Sequence, residues 1–385
     1  MHLRKRYIFP LAIVLLGALA LGSAATAATP PVVVASGFES PRGVAFIGNR
    51  AVVSESGSGG SECIPAPAPF NQICVGPTSQ VSWVDTNTGA HTLLAGGFYS
   101  SFSVGTGEAL GLSGLAVQGR TLYAQISTTS RELGTLANTP LGQEAGDLIE
   151  INTNTGAWKT VANVGDSDFD YTAKFPPKTL QEHDANPTGL LQSRGSTYVA
   201  DSGANTITQV SGSGETSVIA YFGQRYDGFP TDEVPTCLAS AGDDGLWLGT
   251  LSGNLWRVKN GVPTPIAVNN SQGTSLLSHV TGCTVGRDGT LYLVNMFGPG
   301  APFTAPPASS FFIGSVVAFH PNSGTASVLA DTTTVPQLFE PYGVTIGPDG
   351  NLYVTAGATC PASGQGPLGC TVGSAIGGRL IKISL

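Results

Sequence analysis

A short pattern of one strand, a tight turn and a second strand occurs six times along the chain, and this repetition restricts the possible folds more than any other feature. Most first strands end in small or branched apolar residues, and most second strands contain an aromatic residue within an apolar run. The six copies are Pro41–Phe46 with Arg50–Ser56, Leu112–Val117 with Thr121–Gln125, Pro187–Leu191 with Ser196–Asp201, Pro235–Ala239 with Gly245–Gly249, Val280–Val285 with Thr290–Val294, and Pro341–Ile346 with Asn351–Thr355. Self-similarity of this kind is typical of repeat architectures.

Each copy continues into a third strand and the first five continue, after a turn such as Thr86–Gly89 or Thr153–Gly156, into a fourth. Alternating apolar, aromatic and β-branched residues predict strands throughout, and no segment shows a sustained helical period. Six units of four antiparallel strands predict an all-β fold, a six-bladed β-propeller. The sixth unit ends after its third strand, at Leu385, whereas 31–37 near the N-terminus matches the fourth-strand pattern. We therefore expect the N-terminal strand to complete the last blade and close the ring.

The long connections are unevenly distributed. They are 57–78, 128–145, 297–313 and 357–377 between second and third strands, and 98–111 and 166–186 between blades. In an up-and-down blade both classes emerge on the same face, which we call the long-loop face. Long loops on a rigid scaffold are where binding commonly resides, so this face is expected to carry the function.

The composition and the N-terminus predict an exported protein. Residues 1–27 have the form of a signal peptide, with Arg4, Lys5 and Arg6 before an apolar run and a small-residue cleavage pattern at Ala25–Ala27. A single propeller domain is expected over 28–385, without a later membrane span. The formal net charge of −8 becomes −11 once these three basic residues are removed. A nucleic-acid partner is not expected, because phosphate binding needs a basic surface.

The six cysteines favour disulfides in an exported chain. Cys63 and Cys74 flank one loop and Cys360 and Cys370 flank another, so both pairs are expected to bridge locally. Cys237 and Cys283 lie one residue apart in register on the first strands of successive repeats. They form either a bridge between blades or two buried free thiols, and the sequence leaves both alternatives open.

Polar residues recur where strands begin and end on the long-loop face, beside the expected central channel. We predict a ligand-binding set of Glu39, Glu55, Asn186, Asp201, His279, Asn295 and Glu340. Within it, Glu39, Asn186, Asp201 and Glu340 offer oxygen ligands of the kind that Ca²⁺ prefers. A cation there could polarise a carbonyl and support lactone or ester hydrolysis. The alternative, which we favour, is that these side chains bind backbone groups at strand ends.

The first blade, with residues 34–46, the segment 53–60 and the Cys63/Cys74 loop, resembles the opening of ScyD/ScyE family proteins. Residues 184–190 with 199–205 resemble the middle blade of that family, and 347–354 resemble its end. The chain is also similar, more loosely, to NHL-type and strictosidine-synthase-like propellers. The resemblance implies a secreted propeller. It implies no particular chemistry and no catalytic residues. One departure is Ser54, where the family usually has Ala.

Two hypotheses about function follow. The first, which we favour, is a monomeric extracellular protein without catalytic residues, which binds a small molecule or a macromolecule or acts as a scaffold through its long-loop face. It is motivated by the absence of a Gly-x-Ser-x-Gly elbow with a plausible His partner, of HExxH and of a P-loop. The alternative is a Ca²⁺-dependent hydrolase of the lactonase or esterase type.

Overall fold

A computed structural model of the protein describes residues 30–175, 183–223, 232–298, 313–360 and 377–385. These residues contain 26 strands, numbered in chain order: β1 (Val32–Phe38), β2 (Pro41–Ile47), β3 (Arg50–Glu55), β4 (Glu62–Pro65), β5 (Gln72–Val84), β6 (His91–Ser103), β7 (Ala109–Leu110), β8 (Leu112–Gln118), β9 (Thr121–Ile126), β10 (Asp147–Asn152), β11 (Trp158–Asn163), β12 (Pro187–Ser193), β13 (Ser196–Asp201), β14 (Thr206–Val210), β15 (Thr216–Tyr221), β16 (Pro235–Ser240), β17 (Gly245–Thr250), β18 (Leu255–Lys259), β19 (Val262–Ile266), β20 (Val280–Val285), β21 (Leu291–Asn295), β22 (Ser315–His320), β23 (Thr325–Asp331), β24 (Val344–Ile346), β25 (Leu352–Ala356) and β26 (Gly378–Ile383). The predicted signal peptide lies outside the described residues.

The strands form six antiparallel sheets, which are the six blades of a β-propeller. Blade 1 is built on β2, β3, β5 and β6, and blades 2 to 5 are β8–β11, β12–β15, β16–β19 and β20–β23. Blade 6 has the order β1-β26-β25-β24. The predicted fold is therefore confirmed, including closure of the ring: β1 pairs with β26 from Val32 opposite Lys382 to Phe38 opposite Gly378.

The first strands of neighbouring blades contact one another around the central axis. Glycine makes this approach possible. A Cβ atom on Gly43 would lie 2.5 Å from the carbonyl oxygen of Ser113, and one on Gly282 would lie 2.2 Å from that of Tyr342. Real Cβ contacts are longer than 3.0 Å. The recurring Gly of the repeat is thus a packing requirement of the ring.

Blade 1 differs from the prediction, because two segments expected as long loops form strands. β5 and β6 continue past the blade and stay paired, with Val75 opposite Ser101, and β4 and β7 add to this extension. Gly59 and Gly60 pack directly on the extension, and the Cys63–Cys74 disulfide lies within it. This pairing was not predicted, because the short strand-forming runs at 73–75 and 98–99 are followed by Gly, Pro or Ser residues.

In the described residues four short helices interrupt the strand pattern: two 3-10 helices (Ser130–Glu132 and Gly134–Asn138) and two α-helices, α1 (Pro140–Glu144) and α2 (Val164–Thr172). Helix α2 follows blade 2 and is capped at its N-terminus by Asn163, whose side chain accepts a hydrogen bond from the backbone N–H of Asp166. Nine residues are too few to show a clear helical period, which explains why the sequence did not predict the helix. No helix among the described residues is long and apolar enough to cross a membrane.

Disulfides join Cys63 to Cys74 and Cys237 to Cys283. The second, left open by the sequence, joins the first strands of blades 4 and 5 across a Cα–Cα distance of 5.7 Å. Cys237 stands at the ring position that Gly occupies in the other repeats. The predicted Cys360–Cys370 pair falls partly outside the described residues. Two disulfides indicate an oxidising compartment outside the cytosol.

We expect replacement of both Cys237 and Cys283 by serine to lower the free energy of unfolding by about 2–4 kcal/mol, because the bridge closes a 46-residue separation. Denaturant unfolding of the two proteins measures this difference. The matched control is the double serine variant of Cys63 and Cys74, which closes only 11 residues and should cost less. Equal or reversed effects would contradict the expectation.

Candidate functional site

The side chains at the ends of the second strands bind the backbone at the beginning of the first strands. The carboxylate of Glu55 accepts a hydrogen bond from the N–H of Glu39 (2.7 Å), and that of Asp201 accepts one from Asn186 (2.7 Å). In blade 5 the side-chain oxygen of Asn295 accepts one from Ser278 (3.2 Å). The same local arrangement recurs in three blades, as the structural alternative expected.

The Asp201 carboxylate is fully buried and forms several hydrogen bonds with backbone N–H groups. Its Oδ1 accepts two further hydrogen bonds, from the N–H groups of Gly203 (2.9 Å) and Ala204 (2.8 Å). Asp168 on α2 lies close by and accepts hydrogen bonds from Thr206 and Thr208. Burial raises the pKa of Asp201 well above its ordinary range, and the nearby Asp168 raises it further. Burial also raises the pKa of Asp168, to about 7.

A cavity of about 210 Å³ opens where the central channel meets the long-loop face. We call it the mouth cavity. Its lining combines charged and amide side chains, hydroxyls and apolar groups: Arg42, Thr106, Glu108, Leu110, Ser113, Ser127, Asn186, Thr188, Ser202, Thr236, Leu251, Met296, Phe297, Glu340, Tyr342 and Thr359. Below it, between the first strands, the channel contains a smaller space of about 70 Å³. Ser113 and Thr188 line both spaces.

Arg42 provides a buried positive charge in the mouth cavity. Its side chain is 5% exposed, and its Nη2 donates hydrogen bonds to the carbonyl oxygen of Ala109 (3.0 Å) and to the Glu108 carboxylate (3.3 Å). The guanidinium also lies 4.4 Å from the centre of the Tyr342 ring, a cation–π geometry. Burial lowers the pKa of Arg42 and interactions with Tyr342 and Glu108 raise it, so that the pKa is raised overall.

Glu340 provides a buried carboxyl group in the same cavity. It is 3% exposed, and Thr359 donates to its Oε2 from both its N–H and its hydroxyl. Burial raises the pKa of Glu340 to about 7, although the Thr359 bonds and Arg42 oppose the shift. Its φ of 43° places it in the left-handed region, which is uncommon for a non-glycine residue. Unusual backbone and a raised pKa at a cavity wall are typical of functional positions.

The structure divides the seven predicted site residues into two groups. Asn186 and Glu340 line the mouth cavity, whereas Glu39, Glu55, Asp201, His279 and Asn295 are not among its lining residues. His279 is 8% exposed, and its ring packs 5.6 Å from that of Phe297, so burial lowers its pKa.

The predicted calcium ligands make different contacts in the described residues. Asn186 and Glu340 face the cavity, and Asp201 binds backbone donors. In the part of the chain that the structure describes, no group of three or more His, Cys, Asp or Glu side chains could hold a metal ion. A calcium site built from Glu39, Asn186, Asp201 and Glu340 therefore stays a prediction, without geometric support.

Sequence reasoning missed several cavity residues, above all Arg42, Tyr342 and Phe297. For two of them, Arg42 and Tyr342, the repeat pattern itself contained a signal. The residue before the ring glycine is a small hydroxyl residue in blades 2, 3 and 5, and also in blade 4, where Cys237 replaces the glycine. Blades 1 and 6 instead have Arg42 and Tyr342, and these two neighbours stack on each other. A departure from the repeat at a channel-facing position therefore marks the site better than the polar residues at strand ends.

Four buried carboxyl groups should make stability depend on pH. Burial raises the pKa of Asp147, Asp168 and Glu340 to about 7 and raises that of Asp201 as well. Unfolded carboxyls titrate near ~4, so the native state binds more protons between about pH 4 and 7. Stability is then highest below this window. It falls as pH rises, by roughly 1.4 kcal/mol per pH unit for each such proton.

We accordingly expect a lower urea midpoint at pH 8 than at pH 5. Asp168→Asn should flatten this dependence, because one titrating group is removed, whereas Glu62→Gln at an exposed site should not. A midpoint that rises from pH 5 to 8 would show that these carboxyls do not carry raised pKa values.

Comparison of the sequence with protein-family models and with curated proteins gives no match. Among solved structures, the chain is similar to a protein of unknown function from Bacteroides thetaiotaomicron, with a TM-score of 0.56 and 13% identity over 92% of this chain and 75% of that one. A candidate oxidoreductase (glucose dehydrogenase) from Thermus thermophilus gives 0.50 and 15%, over 92% and 99% of the two chains. A candidate gluconolactonase gives 0.50 and 12%, over 93% of each. At these identities the similarity establishes the six-bladed β-propeller fold alone.

Proposed function

We propose that the protein is an exported binding protein that holds a small organic molecule in the mouth cavity. The observation that carries the proposal is the placement of two buried, oppositely ionising side chains, Arg42 and Glu340, in the wall of one cavity at the end of the channel. Charged side chains are rarely buried without a structural or functional reason. Concave sites with a few converging polar groups among apolar walls are the usual form of ligand pockets.

The size and lining of the cavity favour a small ligand. A volume of about 210 Å³ is below the ~300–1,000 Å³ common for drug-sized ligands. Leu110, Leu251, Met296 and Phe297 supply apolar walls, while Asn186 contributes an amide. A ligand with a polar and an apolar part fits these walls better than a fully polar one. Scaffolding through the long-loop face and membership of the ScyD/ScyE family remain predictions.

The proposal is tested by closing the cavity from its rim. Thr106 is exposed and lines the mouth, so Thr106→Trp should obstruct the cavity without disturbing the fold. Small fragments that bind the wild-type protein in ligand-observed NMR should lose their signal with this variant. Thr264→Trp, on the exposed outer strand of blade 4, is the matched control and should retain binding. Fragments that bind all three proteins equally would place the binding site elsewhere.

A calcium-dependent hydrolase makes a different prediction, which a thermal melt distinguishes. We expect the same melting temperature for the mature protein with EDTA and with added Ca²⁺, because no described cluster would hold the ion. A metal bound only by the native state would raise the melting temperature by mass action. A decrease with EDTA that Ca²⁺ reverses would therefore establish a metal site, and assays of lactones and esters with variants of Glu39 and Glu340 would then separate a catalytic from a structural metal.

A further inference from the structure

The floor of the mouth cavity contains two buried hydroxyl groups that the fold does not use. Ser113 is 2% exposed and Thr188 is 5% exposed, and neither side-chain oxygen has a hydrogen-bond partner among the described residues. The equivalent Thr236 and Thr281 in blades 4 and 5 do bind neighbouring carbonyl oxygens. An unpaired buried hydroxyl costs free energy, so a partner supplied from the cavity would explain why these two are polar.

The unused hydroxyls occupy the same repeat position as Arg42. Position 2 of the repeat is Arg42 in blade 1, Ser113 in blade 2 and Thr188 in blade 3, so all three leave neighbouring first strands at one level of the channel. All three line the mouth cavity. A guanidinium can only donate hydrogen bonds, and hydroxyls can donate as well as accept. Three neighbouring donors suit a ligand group that only accepts.

We propose, on the basis of the proposed function, that the ligand is a small molecule with an apolar body and one carboxylate. The carboxylate binds Arg42 in the cavity wall and accepts hydrogen bonds from the hydroxyls of Ser113 and Thr188 at the floor. The apolar body lies against Met296 and Phe297, toward the mouth. Guanidinium and carboxylate match in shape and charge, and charge-assisted hydrogen bonds are the stronger ones.

Glu108 is the present carboxylate partner of Arg42, and its position makes exchange with a ligand feasible. Its side chain is 42% exposed at the rim and its hydrogen bond to Arg42 is long, at 3.3 Å. A partly exposed ion pair contributes little net stability. A ligand carboxylate at the buried floor would replace Glu108 as the partner of the guanidinium, and the Glu108 side chain would then be solvated. Glu108 therefore acts as a competitor, and its removal should strengthen binding.

Glu340 adds a pH dependence to the same site. The titratable and charged groups that line the cavity with it are Arg42, Glu108 and Tyr342. With its pKa raised to about 7 by burial, Glu340 is largely neutral at pH 6 and ionised at pH 8. An ionised Glu340 would repel a ligand carboxylate and compete for Arg42. Affinity for the ligand should consequently decrease as pH rises through 7.

Benzoate is the probe, and benzamide and benzylamine are its neutral and cationic counterparts. Titration followed by ligand-observed NMR should show binding of benzoate and at least about tenfold weaker binding of the other two. Arg42→Gln should weaken benzoate binding by a similar factor, and Glu108→Gln should strengthen it. Glu340→Gln should remove the pH dependence of the affinity for benzoate. Thr106→Trp should abolish the signal.

The variants Ser113→Ala and Thr188→Val test whether the two hydroxyls contribute to ligand binding or to the stability of the fold. Because neither hydroxyl has a described partner, these variants should unfold at or above the wild-type urea midpoint while binding benzoate more weakly. A lower midpoint in both, or unchanged benzoate affinity, would overturn the assignment of the hydroxyls to the ligand.

The remaining outcomes distinguish the inference from the proposed function. Benzamide or benzylamine could bind as tightly as benzoate or more tightly, and Thr106→Trp could abolish that binding. The proposed carboxylate ligand would then be wrong, but the mouth cavity would still be a binding site. If benzoate, benzamide and benzylamine all fail to bind at millimolar concentration, the proposed carboxylate ligand is wrong and the result also counts against the mouth cavity as a binding site.

Discussion

Deletion of residues 30–38 from the mature protein is expected to abolish cooperative unfolding, although the segment is only nine residues long. The deletion removes β1, the outer strand of blade 6, and exposes the whole edge of β26. Ala35 and Phe38 also leave the core, where Phe38 is fully buried. Without β1 the two ends of the chain are no longer joined in one sheet, so the ring can open between blades 6 and 1.

Circular dichroism during thermal unfolding measures this effect. The matched control is the double variant Val32→Ser with Val33→Ser, which changes side chains that are 52% and 37% exposed and keeps the backbone ladder. It should cost only about 1 kcal/mol or less. A synthetic peptide of residues 30–38 should restore the transition by adding back the missing strand. A truncated protein that melts like the full chain would show that closure does not hold the ring.

Substitution of Gly282 by alanine is expected to destabilise the protein by more than about 4 kcal/mol, an unusually large value for one added methyl group. The new Cβ would lie 2.2 Å from the carbonyl oxygen of Tyr342 and 3.2 Å from the N atom of Val344. Both atoms belong to the backbone at the beginning of β24 or just before it, so no rotamer change relieves the contact. The blades would have to move apart at the axis, where the mouth cavity also begins.

Gly212→Ala provides the control for the general effects of introducing alanine. A Cβ atom at Gly212 meets nothing within 4 Å, so this substitution should change stability by less than about 1 kcal/mol. Denaturant unfolding of both variants gives the comparison. Similar free energies for the two would mean that the first strands can separate without loss, contrary to the tight axial packing described above.

The repeat made the fold predictable because each blade is specified by local pattern. Runs such as 352–354 and 291–294 predict strands directly, and the turn residues between strands indicate where each strand ends. Even the closure by β1 followed from sequence, since Leu385 ends a third strand and 31–37 matches a fourth. The extension of β5 and β6 was missed because its strand-forming runs, at 73–75 and 98–99, are short and are interrupted by Gly, Ser and Pro.

The candidate site was only partly predictable. Asn186 and Glu340 were identified as polar residues at strand ends, and both line the cavity. Glu55 and Asp201, at the ends of second strands, are also polar but bind backbone N–H groups. Position in the repeat does not decide the role either, because Glu39 and His279 precede first strands as Asn186 and Glu340 do, yet they do not line the cavity. Which one a side chain adopts depends on the hydrogen-bond donors that the fold places beside it.

The amino-acid sequence by itself thus determined the six blades, the closure of the ring, the unequal loops and the local Cys63–Cys74 bridge, because these follow from patterns within one repeat or between the chain ends. Only the tertiary structure decided that Cys237 bonds to Cys283, that Arg42 stacks on Tyr342 beside Glu340, and that Ser113 and Thr188 are left without partners among the described residues. These facts depend on how neighbouring blades approach each other at the axis. Contacts between residues as distant in sequence as Arg42 and Tyr342 arise from packing, and no local pattern encodes them.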